Sequence, residues 1–100
     1  MPQIRYSNRS QIDLGRLFNF LVEKDQGVAI RAIKEIHESL STLSLMPEIG
    51  RPIQDGLREL IIDFGSSGYV ALYEFDEVID EIVVYAIKHQ REDDYKTPLE

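Results

Sequence analysis

The chain has 100 residues, no Cys, no Trp and a formal charge of 11 − 18 = −7, with 43% hydrophobic and 29% charged residues. That length predicts one domain of about 100 residues, since two cores would leave roughly 50 residues each, near the lower limit for independent folding. Without cysteine, disulfide frameworks, thiolate metal sites and cysteine nucleophiles are excluded, and with His37 and His89 as the two histidines neither a metal nor an organic cofactor is expected.

The charge is unevenly placed. Residues 1–50 hold six Lys or Arg and six Asp or Glu, whereas residues 51–100 hold five and twelve and so carry the whole −7. Asp76, Glu77, Asp80 and Glu81 form one acidic group, and Glu92, Asp93 and Asp94 another. Broad binding to nucleic acid needs the opposite sign, because Lys and Arg must neutralise phosphates, so direct nucleic-acid binding is disfavoured. No apolar run approaches the roughly 18 residues of a membrane span, and residues 1–10 do not read as a signal peptide, so the expected location is the cytoplasm.

In chain order, Ile4, Arg5 and Tyr6 alternate as in a short strand, and residues 7–10 offer hydroxyl and amide groups that cap a helix start. Ser10, Leu14, Leu17, Phe18 and Leu21 then form one helical stripe, predicting a helix over 10–24 that ends at a left-handed Gly27. Ala29, Ile33, Ile36, Leu40 and Leu43 form a second stripe and predict a helix over 28–45. So short a connection makes the pair an antiparallel hairpin, with Leu17 and Ile33 facing a common core. Pro47, Gly50, Pro52 and Gly56 interrupt the chain, and 51–56 is expected to be irregular. Residues 57–63, 69–75 and 81–88 are rich in branched and aromatic side chains and read as three antiparallel strands, with turns at 65–68 and 76–80. Residues 3–6 extend the sheet edge, and residues 92–100 form a C-terminal tail. The order β-α-α-β-β-β predicts an α+β fold with a helical hairpin on one face of a small antiparallel sheet.

Across nearly the whole length the chain resembles the RelE/ParE superfamily of toxins from bacterial type II toxin-antitoxin operons. The resemblance rests on Tyr6, Ser7, Asp13 and Leu14; on Leu43, Pro47, Gly50, Arg51 and Pro52; on Leu57, Arg58, Glu59 and Leu60; on residues 68–73, Gly-Tyr-Val-Ala-Leu-Tyr; and on His89, Gln90, Arg91 and Glu92. The Leu-Arg-Glu-Leu strand and the closing His-Gln-Arg-Glu are more similar to the ParE side. The resemblance implies a toxin that poisons DNA gyrase through protein contacts, with no catalysis of its own. It further implies a cognate antitoxin whose C-terminal segment wraps it into a hetero-oligomer. The RelE side instead implies a ribosome-dependent messenger-RNA endonuclease, and a degenerate toxin that keeps only antitoxin binding is a third alternative. Many members carry arginine after the middle-strand tyrosine, but Val70 follows Tyr69 here. Losing a cation beside a scissile phosphate weakens stabilisation of its charged transition state, which disfavours the nuclease.

The candidate residues follow from these alternatives. For a nuclease, His89 would move the proton, Arg58 and Arg91 would hold the phosphate, Glu59 would orient an arginine and Tyr95 would stack. Arg51 either caps carbonyls where the second helix ends or faces a partner. Arg58 and Glu59 lie on opposite faces of one strand, and the face under the hairpin is open between Leu57, Glu59, Ile61 and Arg58, Leu60, Ile62. Tyr69 and Tyr73 share a sheet face and serve either the core or an interface, whereas His37 reads as a helix-surface residue. Apolar residues outside the helical stripes, Phe20 and Ile30 foremost, are expected antitoxin contacts alongside Arg51, Arg58, Tyr69, Tyr73, His89 and Arg91.

Overall fold

A computed structural model describes residues 1–92, 94 and 95; most of the expected C-terminal tail therefore lies outside the described residues. Strand β1 (Gln3–Tyr6) leads into helix α1 (Asn8–Val22), and α2 (Gln26–Ser41) returns and closes in a short 3-10 turn at Thr42–Ser44. The extended residue Ser7 caps α1, its Oγ accepting the Ser10 N–H at 3.1 Å. Asp25 caps α2 in the same way through Val28 N–H at 3.1 Å. The first helix thus ends before Gly27, which lies inside the opening turn of α2 and not in the expected left-handed position. A carboxylate beside the positive end of a helix explains why Asp25 sets that boundary.

Strands β2 (Arg51–Pro52), β3 (Leu57–Phe64), β4 (Ser67–Asp76) and β5 (Glu81–His89) complete a five-stranded sheet in the order β1-β5-β4-β3-β2. β1 runs parallel to β5 and the other neighbours are antiparallel, so the sheet is mixed where a wholly antiparallel one was expected. The segment expected to be irregular contributes β2, because Pro52 on an outermost strand loses no ladder donor that the sheet needs. The β3–β4 turn is only Gly65 and Ser66, with Gly65 at φ 62° as a tight hairpin requires. Gly68 belongs to β4, and a Cβ there would fall 2.1 Å from the Ile62 carbonyl oxygen.

The two stripes pack as expected. Leu17, Ile36, Leu40 and Leu43 are buried against Ile62, Tyr69, Ala71, Tyr73, Ile82, Val84 and Ile87, while Ile33 is half-buried at the margin. The open question about β3 is decided: Leu60, Ile62 and Phe64 contribute to the core, so the Arg58 face lies under the hairpin, and Glu59 and Ile61 lie on the outer face. A register shift between Leu72 and Tyr73 lets Val84 and Ile87, three residues apart, both reach the core. Tyr69 and Tyr73 belong to that core, 3% and 0% exposed.

Tyr73 also ties the irregular segment to the sheet. Its hydroxyl accepts the Gly50 N–H and donates to the Pro47 carbonyl, each at 2.8 Å. A Cβ on Gly50 would stand 2.6 Å from the Tyr73 ring, which is why this close approach uses glycine. Arg58 adds donors to the Glu48 and Gly50 carbonyls at 3.0 and 2.9 Å. The carbonyl-capping role considered for Arg51 therefore belongs to Arg58.

Replacing Tyr73 with Phe keeps the packing but leaves the buried Gly50 N–H and the part-buried Pro47 carbonyl without their partner, so it is expected to cost about 1–3 kcal/mol. Leu17→Ala should cost about 2–5 kcal/mol through the cavity it leaves. Thermal unfolding of both variants beside the parent checks these values, and unchanged melting temperatures would mean that neither side chain supports the core.

Candidate functional site

The free edge of β5 builds the first part of the site. β1 pairs only with Glu81 to Val84, so side chains must satisfy the rest of that edge. Ser7 Oγ donates to the Tyr85 carbonyl at 3.0 Å, Asp13 Oδ2 accepts the Ile87 N–H at 2.9 Å, and Glu92 Oε1 accepts the His89 N–H at 2.8 Å. Asp13 is fully buried, and Arg16 lies 3.6 Å from its other oxygen and 3.0 Å from Glu92. This carboxylate-arginine-carboxylate chain fixes the middle of α1 against the end of β5.

Beside it opens a cleft of about 630 Å³, walled by Leu17, Phe20, Leu21, Phe64 and Tyr69 and rimmed by Arg16, His89, Arg91 and Glu92. The His89 ring meets Tyr69 edge-on at 5.4 Å between centroids. Its Nδ1 accepts the Arg91 N–H at 3.1 Å, which assigns the proton of the neutral ring to Nε2, 3.0 Å from Ser67 Oγ. Both nitrogens are thus engaged, and neither offers a free lone pair for a substrate proton.

A second group lies on the outer sheet face. Arg51 pairs with Glu59, the Tyr95 hydroxyl donates to Glu59 at 2.7 Å, and Lys88 Nζ sits 5.5 Å from the centre of the Tyr95 ring. Burial alone would push the Glu59 carboxyl up, but the Tyr95 and Arg51 hydrogen bonds with the Arg51 and Lys88 charges pull it below the ordinary carboxylate range. Burial, then the bond and charge of Glu59, push the Tyr95 hydroxyl far above a normal phenol. Val70 lies on this face opposite Lys88, whose ammonium donates to the Glu92 carbonyl at 2.9 Å.

The five residues considered for a nuclease do not converge. Glu59 and Tyr95 share the outer face, and Arg58 points beneath the hairpin into the 47–50 segment. His89 pairs with Tyr69 and Arg58 with Tyr73, four residues along β4, which separates their backbones by roughly 13 Å. Arg91 is exposed and its guanidinium has no partner among the described residues. Phe20 and Ile30 project outward, 62% and 54% exposed, with Lys24 Nζ 4.9 Å from the Phe20 ring centre. His37 stays at the surface, stacked on Tyr6 at 6.0 Å. Sequence reasoning missed Arg16, Phe64, Ser67 and the anchoring role of Glu92; the Asp13 to Arg16 spacing of three on a helix was the one local signal. Among the described residues no three His, Asp or Glu side chains gather as metal ligands, and no helix is long and apolar enough to cross a membrane.

Two helices on one face of this mixed sheet are the fold of known toxin-antitoxin structures. The chain superposes on a chain of the chromosomal ParDE system from P. aeruginosa with TM-score 0.75 and 20% identity, covering 89% of this chain and 96% of that one. For the RelBE2 complex from Mycobacterium tuberculosis the values are 0.65 and 21%, covering 90% and 100%. Residues 4–94 match the family model described as the ParE toxin of the type II toxin-antitoxin system, parDE. The toxin RelE3 of Caulobacter vibrioides is 30% identical over 92 residues, covering 92% of this chain and 98% of that protein, and RelE1 of the same organism is 37% identical over 67 residues, covering 67% and 72%. The chain belongs to the ParE toxin family of type II toxin-antitoxin systems, within the RelE/ParE superfamily.

The lowered carboxyl of Glu59 sets a pH dependence. Its contribution to stability is present at neutral pH and is lost as pH falls through the depressed folded-state value. Tyr95→Phe removes one hydrogen bond from that carboxylate, so the Glu59 titration should move up and the melting temperature should fall at neutral pH. Below the depressed Glu59 value, where the carboxyl is protonated in both proteins, the two should converge. Carboxyl-carbon NMR titration with melting curves checks this, and a pH-independent difference would remove Glu59 as the cause.

Proposed function

We propose that this toxin acts on a protein target, DNA gyrase, by direct contact and without catalysis, and that a cognate antitoxin neutralises it by wrapping a C-terminal segment around it. The observation that carries the reading is the internal neutralisation of Arg16, Arg51 and Arg58. Arg16 is held by Asp13 and Glu92, Arg51 by Glu59, and Arg58 by Glu48 and two carbonyls. Phosphate binding would require breaking those pairs, and His89 would have to give up a hydrogen bond before accepting a proton. The net charge of −7 opposes an RNA backbone in the same sense.

The antitoxin has two surfaces to use. Phe20 and Ile30 offer exposed apolar area for an amphipathic helix, and the cleft beside Phe20 adds a pocket whose rim carries Arg91. On the far edge β2 covers only Arg58 and Glu59, so the continuation of β3 is open to an added strand. A segment that folds on binding suits both surfaces.

The RelE names of the two Caulobacter relatives keep one second reading, a ribosome-dependent RNA endonuclease. In that case the outer-face residues Glu59, Lys88 and Tyr95 and the lone Arg91 would bear the activity.

The test is gyrase supercoiling with purified toxin, with and without co-expressed antitoxin. Inhibition that the antitoxin relieves is expected, and uninhibited supercoiling would remove gyrase as the target. Phe20→Asp and Ile30→Asp should each weaken the antitoxin complex by more than about tenfold while leaving the free toxin's melting temperature nearly unchanged. Unchanged affinity in both would remove the hairpin from the interface.

A further inference from the structure

The other end of the molecule carries a feature that neither the antitoxin surfaces nor the arginine pairs use. The β4–β5 hairpin turns through residues 77–80, and its apex is Val78 and Ile79, 93% and 62% exposed. Tight turns normally hold Gly, Asn, Asp or Pro, so two branched apolar residues at an apex defy the local preference without any gain in packing. Asp76 Oδ1 accepts the Val78 N–H at 3.0 Å and holds the apex in shape.

More apolar surface lies beside it. Gln3 N–H donates to the Asp80 carbonyl at 3.2 Å, and Ser44 Oγ donates to the Pro2 carbonyl at 3.2 Å, so the start of β1 joins the hairpin apex to the segment after α2. There Leu45 and Met46 are 70% and 50% exposed. Four exposed apolar side chains thus gather at one end, with Asp76, Glu77 and Asp80 around them. None of these three acids has an ion pair among the described residues, and Arg5, on the adjoining strand, is already paired with Glu81 at 3.5 Å.

We infer that this end is a docking surface for the toxin's protein target, and that the matching surface is an apolar pocket rimmed by Lys and Arg. The proposal rests on the reading that the toxin acts through protein contacts. Charge selects the occupant. A second copy would bring like charges together, and nucleic acid or an anionic membrane would be repelled, whereas a basic protein rim gains attraction and faster encounter. Position separates it from the antitoxin surface. The cleft containing Phe20 lies at the His89 end of β5, and the apex lies before Glu81, which is eight residues from His89 and roughly 27 Å along the strand. One face can therefore be blocked while the other keeps its own partner.

The test compares the full chain with two variants, Val78→Ser with Ile79→Ser, and Asp76→Asn with Glu77→Gln and Asp80→Asn. Asparagine keeps the turn acceptor at 76 and tolerates the left-handed backbone at 80. Expressed without antitoxin in a bacterial host, each variant should arrest growth at least about tenfold less effectively, while its melting temperature and its affinity for co-expressed antitoxin stay within about twofold of the parent. Full growth arrest by both variants would overturn the proposal, as would a matching loss of antitoxin affinity, which would assign this end to the antitoxin. If the parent arrests growth but leaves supercoiling untouched, gyrase fails as the target while the variants still decide whether this end docks it.

Discussion

The unfinished edge of β5 is the constraint on which the rest of the structure depends. A four-residue β1 leaves the last turns of backbone on β5 without a strand partner, and buried amide and carbonyl groups cannot remain unpaired without a cost of about 1–3 kcal/mol each. Ser7, Asp13, Arg16 and Glu92 supply the missing partners. The first helix is thereby fixed in register along the strand, and His89 and Arg91 are set at the mouth of the cleft. An edge closed in this way cannot accept an added strand, so strand addition is confined to the far side of the sheet, where β2 covers only two residues of β3.

The same economy governs charge. Arg16, Arg51 and Arg58 are used internally, as struts between the helix, the 47–50 segment and the sheet, which leaves Arg91 alone of the two phosphate candidates facing outward. Their carboxylate partners are fixed and within direct contact, so an incoming anion competes with a preformed pair. Besides Arg91, the outward features are apolar or acidic: Phe20 and Ile30 on the hairpin, and Val78 and Ile79 with Asp76, Glu77 and Asp80 at the opposite end. In the proposed reading such a surface suits protein partners, with its two poles addressing an inhibitor and a target separately.

Much of the fold was legible in the sequence because the helical stripes are regular. Leu17, Ile36, Leu40 and Leu43 all reached the core, and the three long strands fell within a few residues of their expected limits. The failures have local causes. Asp25 and Gly27 both signal a boundary, and the capping carboxylate prevailed. A two-residue strand containing Pro52 carries no periodic signal, and the face of β3 was ambiguous because Leu57 and Ile61 on one side balance Leu60 and Ile62 on the other. The site was far less legible. Its defining contacts join Asp13 to Ile87 and Arg16 to Glu92, 74 and 76 residues apart, and no local pattern reports such pairs.

The most direct test of action by contact is a map of transcript 5′ ends in cells arrested by the protein. The account predicts the same ends as in cells arrested by an unrelated gyrase inhibitor, with no new ends inside codons. New ends within codons that disappear with Arg91→Ala or His89→Ala would contradict it and make the protein an RNA endonuclease.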